Sequence, residues 1–449
     1  MIVMKFGGSS VADRAQIEKV REIVSVVLAR GERPFVVSSA HKGMTDALVQ
    51  AAKRAAGGDG SAETVIALEE KVRRELGVDR SVVEPLYQEL ADLLRGLSLV
   101  RELSSRSLDY VSSFGERLSV RVIAAFFDQR GLRAKAFDAW DLGFITNADF
   151  GGARPIAGYE RLVSTAVGRI DPAVTPIVTG FVGKTEQGDI TTVGRNGSDL
   201  SATLFGAAIP SKEVQIWSDT DGVMTADPRL VKSARNIPEM RFDEASELAY
   251  FGSRMLHPAT LLPAMTAGIP VRVLNTNRAA HPGTVIRRVA NNPQRVTSIA
   301  YKERQLVLTV TSMRMFGEAG FLERVFEACR KSGVVVDMVT TSEVSISLTA
   351  NAEEPLRAAA RELAPWVERI GGEVTIDVGR SIVAVVGQHL AERRGLGGEI
   401  FTALSNASVN VEMISFAKGS INLSFVVADA DIKRAIESLH AVLFEPETS

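Results

Sequence analysis

The last third of the chain contains an internal repeat, which restricts the possible folds more than any other feature of the sequence. Residues 320–348 match residues 395–423 without a gap, at a constant offset of 75 positions. The matched pairs are Gly320 and Gly395, Phe326 and Phe401, Val334 and Val409, Val336 and Val411, Met338 and Met413, Ile346 and Ile421, and Leu348 and Leu423. The matches recur first at helical spacing and then at strand alternation, which predicts a duplicated β-α-β-β-α unit.

The two predicted units become complete only if one strand is exchanged. The first unit contains strand 306–312, helix 321–331, strands 334–341 and 344–349, helix 354–362 and strand 373–378. The second unit contains strand 382–387, a helix, strands 409–416 and 421–427 and a helix from Asp431, but no fourth strand. A spare strand at 297–301 would fill the open place in the second sheet. We therefore predict two interleaved α+β modules, the first at 305–379 and the second at 294–304 together with 380–449.

The first two thirds of the chain, 1–290, alternate strand-like and helix-like patterns. This alternation predicts an α/β layered domain with a largely parallel sheet. The predicted strands are 2–4, 34–39, 133–137, 175–181, 213–218 and 270–274, and the predicted helices include 116–129 and 200–208. Residues 51–108 are charged and helical, which indicates a helical excursion on the surface. Ligands of such sheets bind at the carboxyl ends of the strands, where Lys5, Ser39, Thr179-Gly180 and Ser218-Asp219 are expected.

Composition excludes several classes of protein. With 449 residues, 45% hydrophobic and 24% charged, the chain is typical of a soluble globular protein of two or three domains. The net charge of −2 gives no indication of nucleic-acid or membrane-surface binding. The single cysteine, Cys329, excludes internal disulfides, and no apolar run approaches the roughly 20 residues of a membrane helix. Since the first residues already form a predicted strand, we expect no signal peptide and a cytoplasmic location.

A lysine and a glycine pair follow the first predicted strand, in the segment Lys5-Phe6-Gly7-Gly8-Ser9-Ser10. Glycines let backbone N–H groups approach a phosphate, and a helix predicted from about Val11 would add the positive end of its dipole. Lys5 would supply a charge where a phosphoryl group becomes more negative. The alternative is an ordinary β-turn-α corner with a surface lysine. Neither a Walker loop nor the dinucleotide G-x-G-x-x-G occurs in this segment.

Residues 191–202 form a second glycine-rich loop that leads into a helix. Ser198 or Asp199 is placed to cap this helix, and Arg195 offers the paired donors that suit a carboxylate. Asp199 could orient or deprotonate an attacking oxygen, or hold Lys5. The alternative is a well-capped loop with a surface ion pair.

Two further segments carry polar groups that suit a ligand or an ordinary structural role. In 218–229 the turn signals Asp221-Gly222 and Asp227-Pro228 flank groups that could contact a ribose, and Arg229 could meet a phosphate. The spacing of its aspartates does not complete a calcium loop, so a plain turn-rich loop is an equal alternative. Glu116 is predicted to begin a helix, either as a cap or as a partner for a substrate ammonium. The five histidines form neither a metal cluster nor a nucleophilic triad.

Taken in order, four motifs resemble those of aspartate kinases, which belong to the amino-acid kinase superfamily. The motifs are Lys5-Phe6-Gly7-Gly8-Ser9-Ser10, Phe114-Gly115-Glu116, Gly194-Arg195-Asn196-Gly197-Ser198-Asp199, and Ser218-Asp219 with Asp227-Pro228-Arg229. The resemblance covers nearly the whole chain, and the repeated C-terminal units resemble the paired ACT modules of monofunctional enzymes. It implies ATP-dependent phosphorylation of the β-carboxylate of L-aspartate to 4-phospho-L-aspartate, the first step of lysine, threonine and methionine biosynthesis.

The resemblance also implies roles for individual residues. The catalytic groups are Lys5, Gly7, Gly8 and Asp199. The substrate aspartate is bound by Ser39, Thr45, Glu116, Arg195, Asn196, Gly197 and Ser198. The nucleotide is bound by Lys5, Phe6, Gly7, Gly8, Ser218, Asp219, Met224, Arg229, Arg254 and Met255. Four residues depart from the family pattern: Asn196 where glycine is commonest, Met224 where an aromatic residue is frequent, and His41 and Lys42 in the loop after Ser39.

MgATP is expected as co-substrate, without a tightly bound cofactor and without a metal ion held by the protein alone. Since a carboxylate is already ionised at pH 7, the reaction needs no general base. Two other functions stay open from the sequence. One is a kinase with glutamate or N-acetylglutamate as acceptor, and the other is a catalytically silent amino-acid sensor.

The C-terminal modules are predicted to bind an inhibitory end product. The segment 340–349 resembles the effector segment of lysine-sensitive aspartate kinases, so lysine is the first choice and threonine remains open. The loop 315–322 ends at a helix N-terminus, which suits an α-carboxylate, and Asp337 with Glu318 or Glu343 could meet an ammonium. The predicted effector residues are Met315, Glu318, Phe321, Leu322, Val336, Asp337, Thr341, Ser342 and Glu343. We expect the modules to pair across a two-fold axis, giving a homo-oligomer, most simply a homodimer.

Overall fold

The structure, a computed structural model, describes residues 1–251, 257–290, 296–388 and 390–445. They fall into two compact units. The first lies within Met1–Val223, Asn236–Phe242 and Met255–Asn291. The second lies within Met224–Arg235, Asp243–Arg254 and Asn292–Ser449. Among the described residues, no helix is both long enough and apolar enough to cross a membrane.

The first unit is built on an eight-stranded, mostly parallel sheet, as the alternating pattern predicts. Its strands and one separate hairpin are β1 (Ile2–Phe6), β2 (Pro34–Ser38), β3 (Ala134–Phe137), β4 (Thr175–Thr179), β5 (Val182–Lys184), β6 (Ile190–Thr192), β7 (Glu213–Ser218), β8 (Glu239–Arg241), β9 (Val271–Asn275) and β10 (Thr284–Arg287). The order across the large sheet is β3-β4-β2-β1-β7-β9-β10-β8, and β5 pairs with β6 in the hairpin. Only the pairing of β9 with β10 is antiparallel in the large sheet, so most carboxyl ends lie along one edge.

Helices surround this sheet. They are α1 (Arg14–Ala29), α2 (Met44–Ala56), α3 (Glu63–Leu76), α4 (Glu84–Val100), α5 (Ser105–Gln129), α6 (Tyr159–Val167), α7 (Gly197–Ala208) and α9 (Pro258–Ala267). Helix α8 (Phe242–Tyr250) belongs to the second unit apart from Phe242. The predicted excursion forms α2 to α4, and the buried side chains of Leu48, Val65, Leu90 and Phe114 join it to α5 in one apolar core. Removing so much apolar surface from water is the main stabilisation of this part of the fold.

Three predicted helix starts are wrong. Helix α1 begins at Arg14 rather than near Val11, because Asp13 caps it by accepting from the N–H of Gln16. Helix α5 begins eleven residues before Glu116, after the cap Ser104. Helix α7 begins at Gly197, so Ser198 and Asp199 lie in its first turn instead of capping it.

The second unit contains one antiparallel sheet of six strands. Its elements are β11 (Ser298–Thr311), α10 (Phe321–Lys331), β12 (Met338–Thr341), β13 (Ser345–Ala350), α11 (Glu353–Arg369), β14 (Glu373–Val386), α12 (Leu396–Asn406), β15 (Met413–Ser415), β16 (Asn422–Ala428) and α13 (Ile432–Phe444). The sheet order is β12-β13-β11-β14-β16-β15. Helix α12 repeats α10 at the same offset that the sequence repeat predicts.

Two long strands, β11 and β14, each serve both halves of this sheet. Their partners are β13 for residues 306–311 of β11 and β16 for residues 380–386 of β14. Strands β11 and β14 also pair with each other. Residues 298–302 of β11 lie against residues 382–386 of β14, and the later part of β11 lies against the earlier part of β14. The predicted addition of the spare strand to the second half is therefore present. The predicted strand from Val334 is too long, because Val334 N–H closes the end of α10 on Cys329 O and strand pairing starts at Met338.

Candidate active site

The carboxyl ends of four neighbouring strands meet in the first unit. Phe6 lies opposite Ser38 on one side and Trp217 on the other, and Ser38 lies opposite Thr179. The loops that start at Gly7, Ser39, Gly180 and Asp219 therefore begin at one edge of the sheet. This is the arrangement that the sequence predicts, and it is the usual place for a ligand of such a sheet.

A buried ion pair lies at this edge. Lys5 Nζ, on β1, is 2.5 Å from Asp199 Oδ1, in the first turn of α7. The two side chains are only 11% and 10% exposed. An ammonium carries three N–H donors, so one carboxylate leaves Lys5 with donors for a further anion. Of the roles that the sequence left open for Asp199, this contact favours the one in which it holds Lys5.

The glycine pair lets backbone and side chains come close to Lys5. A Cβ atom on Gly7 would lie 3.4 Å from Lys5 Nζ, and one on Gly8 would lie 3.0 Å from Ala40 O. Any larger residue at Gly8 would press against the loop after β2. Because α1 starts only at Arg14, its N-terminus does not follow the glycine pair directly, and the predicted dipole contribution at Gly8 is not supported.

The loop after β2 is attached to α5. Glu116 Oε1 accepts from Ala40 N–H at 3.1 Å, and Ser119 Oγ donates to Ser39 O at 2.9 Å. The first turn of α2 follows this loop and contains Thr45. The loop thus connects Ser39 to Thr45 and is held by Glu116 through Ala40.

Glu116 itself is buried in an unusual state. Its side chain is 3% exposed, and among the described residues Oε2 has no hydrogen-bond partner. Burial raises the pKa of Glu116 to about 8, and the N–H of Ala40 and the charge of Lys5 offset only part of that shift. The prediction that a helix dipole favours this carboxylate is wrong, because Glu116 lies in the middle of α5. A substrate ammonium would supply the partner that Oε2 lacks.

The loop 194–199 is shaped by left-handed backbone. Gly194 and Asn196 have φ angles of 84° and 54°, and asparagine is among the few residues that tolerate this region. Arg195 is exposed, and no hydrogen-bond or ion-pair partner for it is found in the described ranges. A guanidinium in this position is available for a carboxylate.

Asp109, on α5, anchors the strand that precedes this loop. Its carboxylate accepts from the N–H and the hydroxyl of Thr192 and from Gly151 N–H, at 2.8 to 2.9 Å. Burial raises the pKa of Asp109, and these donors offset part of the shift. The sequence analysis missed this residue, because its role depends on a contact with a residue 83 positions away.

Of the predicted nucleotide residues, Ser218 and Asp219 belong to the first unit. Ser218 ends β7, and Asn275 Nδ2 donates to Asp219 O and to Asp221 Oδ1, which holds the turn after β7. Phe6, Gly7 and Gly8 follow at the end of β1. Within the part of the chain that the structure describes, no group of three or more His, Cys, Asp or Glu residues is placed to hold a metal ion.

Met224 and Arg229 belong to the second unit. The guanidinium of Arg229 is bound by Asp227, which also accepts from the hydroxyl of Tyr301 at 3.0 Å. Arg254 and Met255 lie outside the described residues. For these four residues nucleotide binding remains a prediction.

The predicted effector residues lie in three segments of the first module, and those at Asp337 and Glu343 are at opposite ends of β12. Met315, Glu318, Phe321 and Leu322 lead into α10, Val336 and Asp337 precede β12, and Thr341, Ser342 and Glu343 lead from β12 to β13. Glu318 and Glu343 are exposed. Asp337 differs, since its side chain is 3% exposed and pairs with Lys302 Nζ at 2.6 Å. Tyr250 OH also donates to Asp337 at 2.6 Å.

Comparison with known proteins agrees with this geometry. The model of the amino acid kinase family matches residues 1–275, and an ACT domain model matches residues 383–443. The chain therefore belongs to the amino acid kinase family.

Individual relatives narrow the group. Aspartokinase 1, chloroplastic, of Arabidopsis thaliana is 39% identical over 99% of this chain and 80% of its own length. Lysine-sensitive aspartokinase 3 of Escherichia coli is 33% identical over 99% of both chains. Crystal structures of E. coli aspartokinase III also match, with aspartate and ADP (R-state; TM-score 0.80, 32% identity) and with lysine and aspartate (T-state; TM-score 0.78, 31% identity). Each structural match covers 99% of this chain and 100% of the other. Within the family, the chain is thus one of the aspartokinases, phosphotransferases with a carboxyl group as acceptor, and the predicted family, fold and enzyme class are confirmed.

Proposed function

We propose that the chain transfers the γ-phosphoryl group of MgATP to the β-carboxylate of L-aspartate, and that the Lys5–Asp199 pair is the centre of this reaction. The bond between the γ-phosphorus and the bridging oxygen breaks, a bond to the carboxylate oxygen forms, and ADP leaves. The observation that carries the proposal is a buried ammonium, fixed by one carboxylate, beside a glycine turn at the carboxyl edge of β1.

Phosphoryl transfer requires mainly positioning and neutralisation of charge. Lys5 would bind phosphoryl oxygens where negative charge grows, and Asp199 would hold Lys5 in place. Because the attacking carboxylate is already ionised at pH 7, Asp199 has no proton to remove.

The aspartate would be bound between α5 and the loop 194–199. Arg195 presents paired donors to the α-carboxylate, and Glu116 Oε2 accepts from the α-ammonium. Ser39, Thr45 and residues 196–198 would complete the site. The support for these roles is the exposed guanidinium of Arg195 and Oε2 of Glu116, neither of which has a partner among the described residues. The two groups are complementary to the two charges of an amino acid.

The nucleotide would bind over Phe6-Gly7-Gly8 and beside Ser218 and Asp219. Magnesium would arrive with ATP as part of the substrate and keep most of its ligands from phosphate and water. We also retain Met224, Arg229, Arg254 and Met255 as candidates on the basis of the sequence motifs.

We infer further that lysine inhibits the enzyme through the first C-terminal module. The E. coli relative is named as lysine-sensitive, and its structure was solved with lysine and aspartate. Asp337 is the most buried acidic group among the predicted effector residues, and it already binds an ammonium, that of Lys302. Lysine would therefore compete with Lys302 for Asp337. Inhibition requires that lysine bind the less active state of the enzyme more tightly.

A substrate panel tests this proposal. ADP formation should depend on aspartate and should not be supported by glutamate or N-acetylglutamate. No turnover with any acceptor would instead favour a silent sensor. Addition of millimolar lysine should inhibit, whereas inhibition by threonine alone would overturn the choice of effector. A homo-oligomeric state and a cytoplasmic location, which we expect from the sequence, are proposals of the same kind.

A further inference from the structure

We propose that His41 and Glu69 form a buried clamp that positions the aspartate-binding loop. This inference rests on the proposed assignment of Ser39 and Thr45 to the aspartate site. His41 Nδ1 donates to Glu69 Oε2 at 2.9 Å, and the two side chains are 2% and 0% exposed. His41 lies in the loop between β2 and α2, and Glu69 lies in the middle of α3.

The clamp is the third attachment of the loop after β2, which also contacts α5 and the glycine turn after β1. On one side α5 holds Ser39 and Ala40 through Ser119 and Glu116. Gly115 adds to this contact, since a Cβ there would lie only 2.7 Å from Ala40 Cβ.

On the second side the glycine turn after β1 touches the loop, with Ala40 O 3.0 Å from the place of a Gly8 Cβ. The pair of His41 with Glu69 supplies the remaining attachment, to the helical excursion. Because this loop contains Ser39 and leads to Thr45, its position affects the acceptor side of the site.

The chemistry of the pair indicates positioning rather than stabilisation. Among the described residues, His41 Nε2, Glu69 Oε1 and the nearby Tyr87 OH are buried without hydrogen-bond partners. Burial and the charge of Glu69 both raise the pKa of Tyr87, so its hydroxyl stays protonated. Buried polar groups with unsatisfied atoms cost stability, and an apolar pair of similar volume would avoid that cost. A directional hydrogen bond, unlike an apolar contact, fixes the register of the loop.

The pair therefore gives the helical excursion, α2 to α4, a functional role that the sequence motifs do not predict. Helix α3 contains no predicted site residue, yet Glu69 reaches the loop that begins at the active edge of the sheet. His41 is also one of the two residues that depart from the family pattern in this loop. We therefore assign His41 and Glu69 as positioning residues for aspartate, not as catalytic residues.

The test is steady-state kinetics of His41→Ala, His41→Asn and Glu69→Gln. His41→Ala should raise the KM for aspartate at least tenfold, while kcat and the KM for ATP stay within about threefold of wild type. His41→Asn should restore most of the affinity, because its Nδ2 can replace the Nδ1 donor, and Glu69→Gln should lie between the two. If His41→Ala does not fold, the other two variants carry the test.

Glu70→Gln is the matched control. Glu70 is the next residue on α3, is also buried, and pairs with Arg73 and Arg74 instead of the loop. The Glu70→Gln variant should have a lower melting temperature and an unchanged KM for aspartate. If Glu70→Gln raises the KM for aspartate as much as His41→Ala does, the effect is due to general destabilisation of α3, and the proposed clamp is wrong.

Thr45→Ala separates this inference from the proposed site. If Thr45→Ala raises the KM for aspartate and folded His41→Ala leaves it within twofold, the clamp is wrong and the site stands. If neither variant changes the KM, the assignment of the loop to aspartate is wrong, and the clamp falls with it.

Discussion

In the part of the chain that the structure describes, each unit contains an ion pair of a lysine and an aspartate, and the two pairs differ in what surrounds them. In the first unit Lys5 and Asp199 lie beside glycines, with no third partner among the described residues. In the second unit Asp337 is bound by Lys302 and also by Tyr250, and Lys302 Nζ lies 5.1 Å from the centre of the Tyr250 ring. The first ammonium keeps donors for a ligand, whereas the second is covered by an aromatic face.

This difference indicates two uses of the same ion pair. At the first pair a ligand can be added without breaking the existing contact, which suits a group that acts in every turnover. At the second pair an ammonium ligand must displace Lys302, which suits a site that responds to concentration. Burial and the contact with Asp337 raise the pKa of Tyr250, so its hydroxyl remains a donor to the aspartate at neutral pH. The following variants test whether the two pairs really differ in this way.

The largest effect is expected at the first pair. Lys5→Ala should lower kcat by about 100-fold or more, ~2.7 kcal/mol, while the KM for aspartate changes little, because the charge acts mainly on the transition state. Steady-state kinetics measure it, with Lys212→Ala as control, since Lys212 is exposed and precedes β7 at the opposite edge of the sheet. A kcat within about threefold of wild type, ~0.65 kcal/mol, would remove Lys5 from the catalytic role.

The surroundings of the first pair predict a pH dependence. With the pKa of Glu116 near 8 in the free enzyme, kcat/KM for aspartate should rise about tenfold between pH 7 and 9, because only the ionised carboxylate binds an ammonium. Glu116→Gln should abolish that rise. The same shift makes the free energy of unfolding fall as pH rises from 4.5 to 8, since the unfolded chain loses this proton earlier. A flat profile in the wild type would show that Glu116 does not bind the substrate.

Arg195→Lys should have a smaller effect on the same site. A point charge cannot form the paired contacts of a guanidinium, so the KM for aspartate should rise about fivefold, ~1 kcal/mol. Measuring the KM for ATP in parallel identifies the ligand. A rise for ATP with no change for aspartate would mean that Arg195 contacts the nucleotide.

The smallest effect is expected at the second pair. Lys302→Met removes the internal competitor, so the lysine concentration for half-inhibition should fall about threefold, ~0.65 kcal/mol, with kcat unchanged in the absence of lysine. Tyr250→Phe serves as the matched variant, because it removes a donor to Asp337 but leaves Lys302 in place. Weaker inhibition in Lys302→Met would mean that Lys302 helps to bind the effector.

Much of the fold could be predicted because the repeat and the hydrophobic periodicity of each helix and strand can be recognised in the sequence itself. Helix Phe321–Lys331 and strand Glu213–Ser218 have the predicted bounds. The exchange of strand 298–302 was predictable from the missing fourth strand of the second unit. The errors occur where hydrophobic alternation extends beyond the helix or strand that the structure forms. Val334 and Val336 keep strand alternation, but the cap of α10 uses Val334 N–H.

The site was predictable where a motif carries its own charge, as Lys5 and Asp199 do. The properties of a site residue were not predictable where they depend on burial or on contacts with residues distant in the sequence. Glu116 was expected at a helix start, yet it lies in the middle of α5, where burial raises its pKa. Asp109 and Glu69 act on residues 83 and 28 positions away, and nothing in their local sequence indicates either contact.

The most direct test of the account is aspartate-dependent ADP formation by the wild type, Lys5→Met and Lys302→Met, assayed side by side without lysine. We predict turnover that requires aspartate in the wild type, loss of turnover by about 100-fold in Lys5→Met, and wild-type kcat in Lys302→Met. ADP formation that does not require aspartate, or equal losses in the two variants, would contradict the assignment of catalysis to the first pair and regulation to the second.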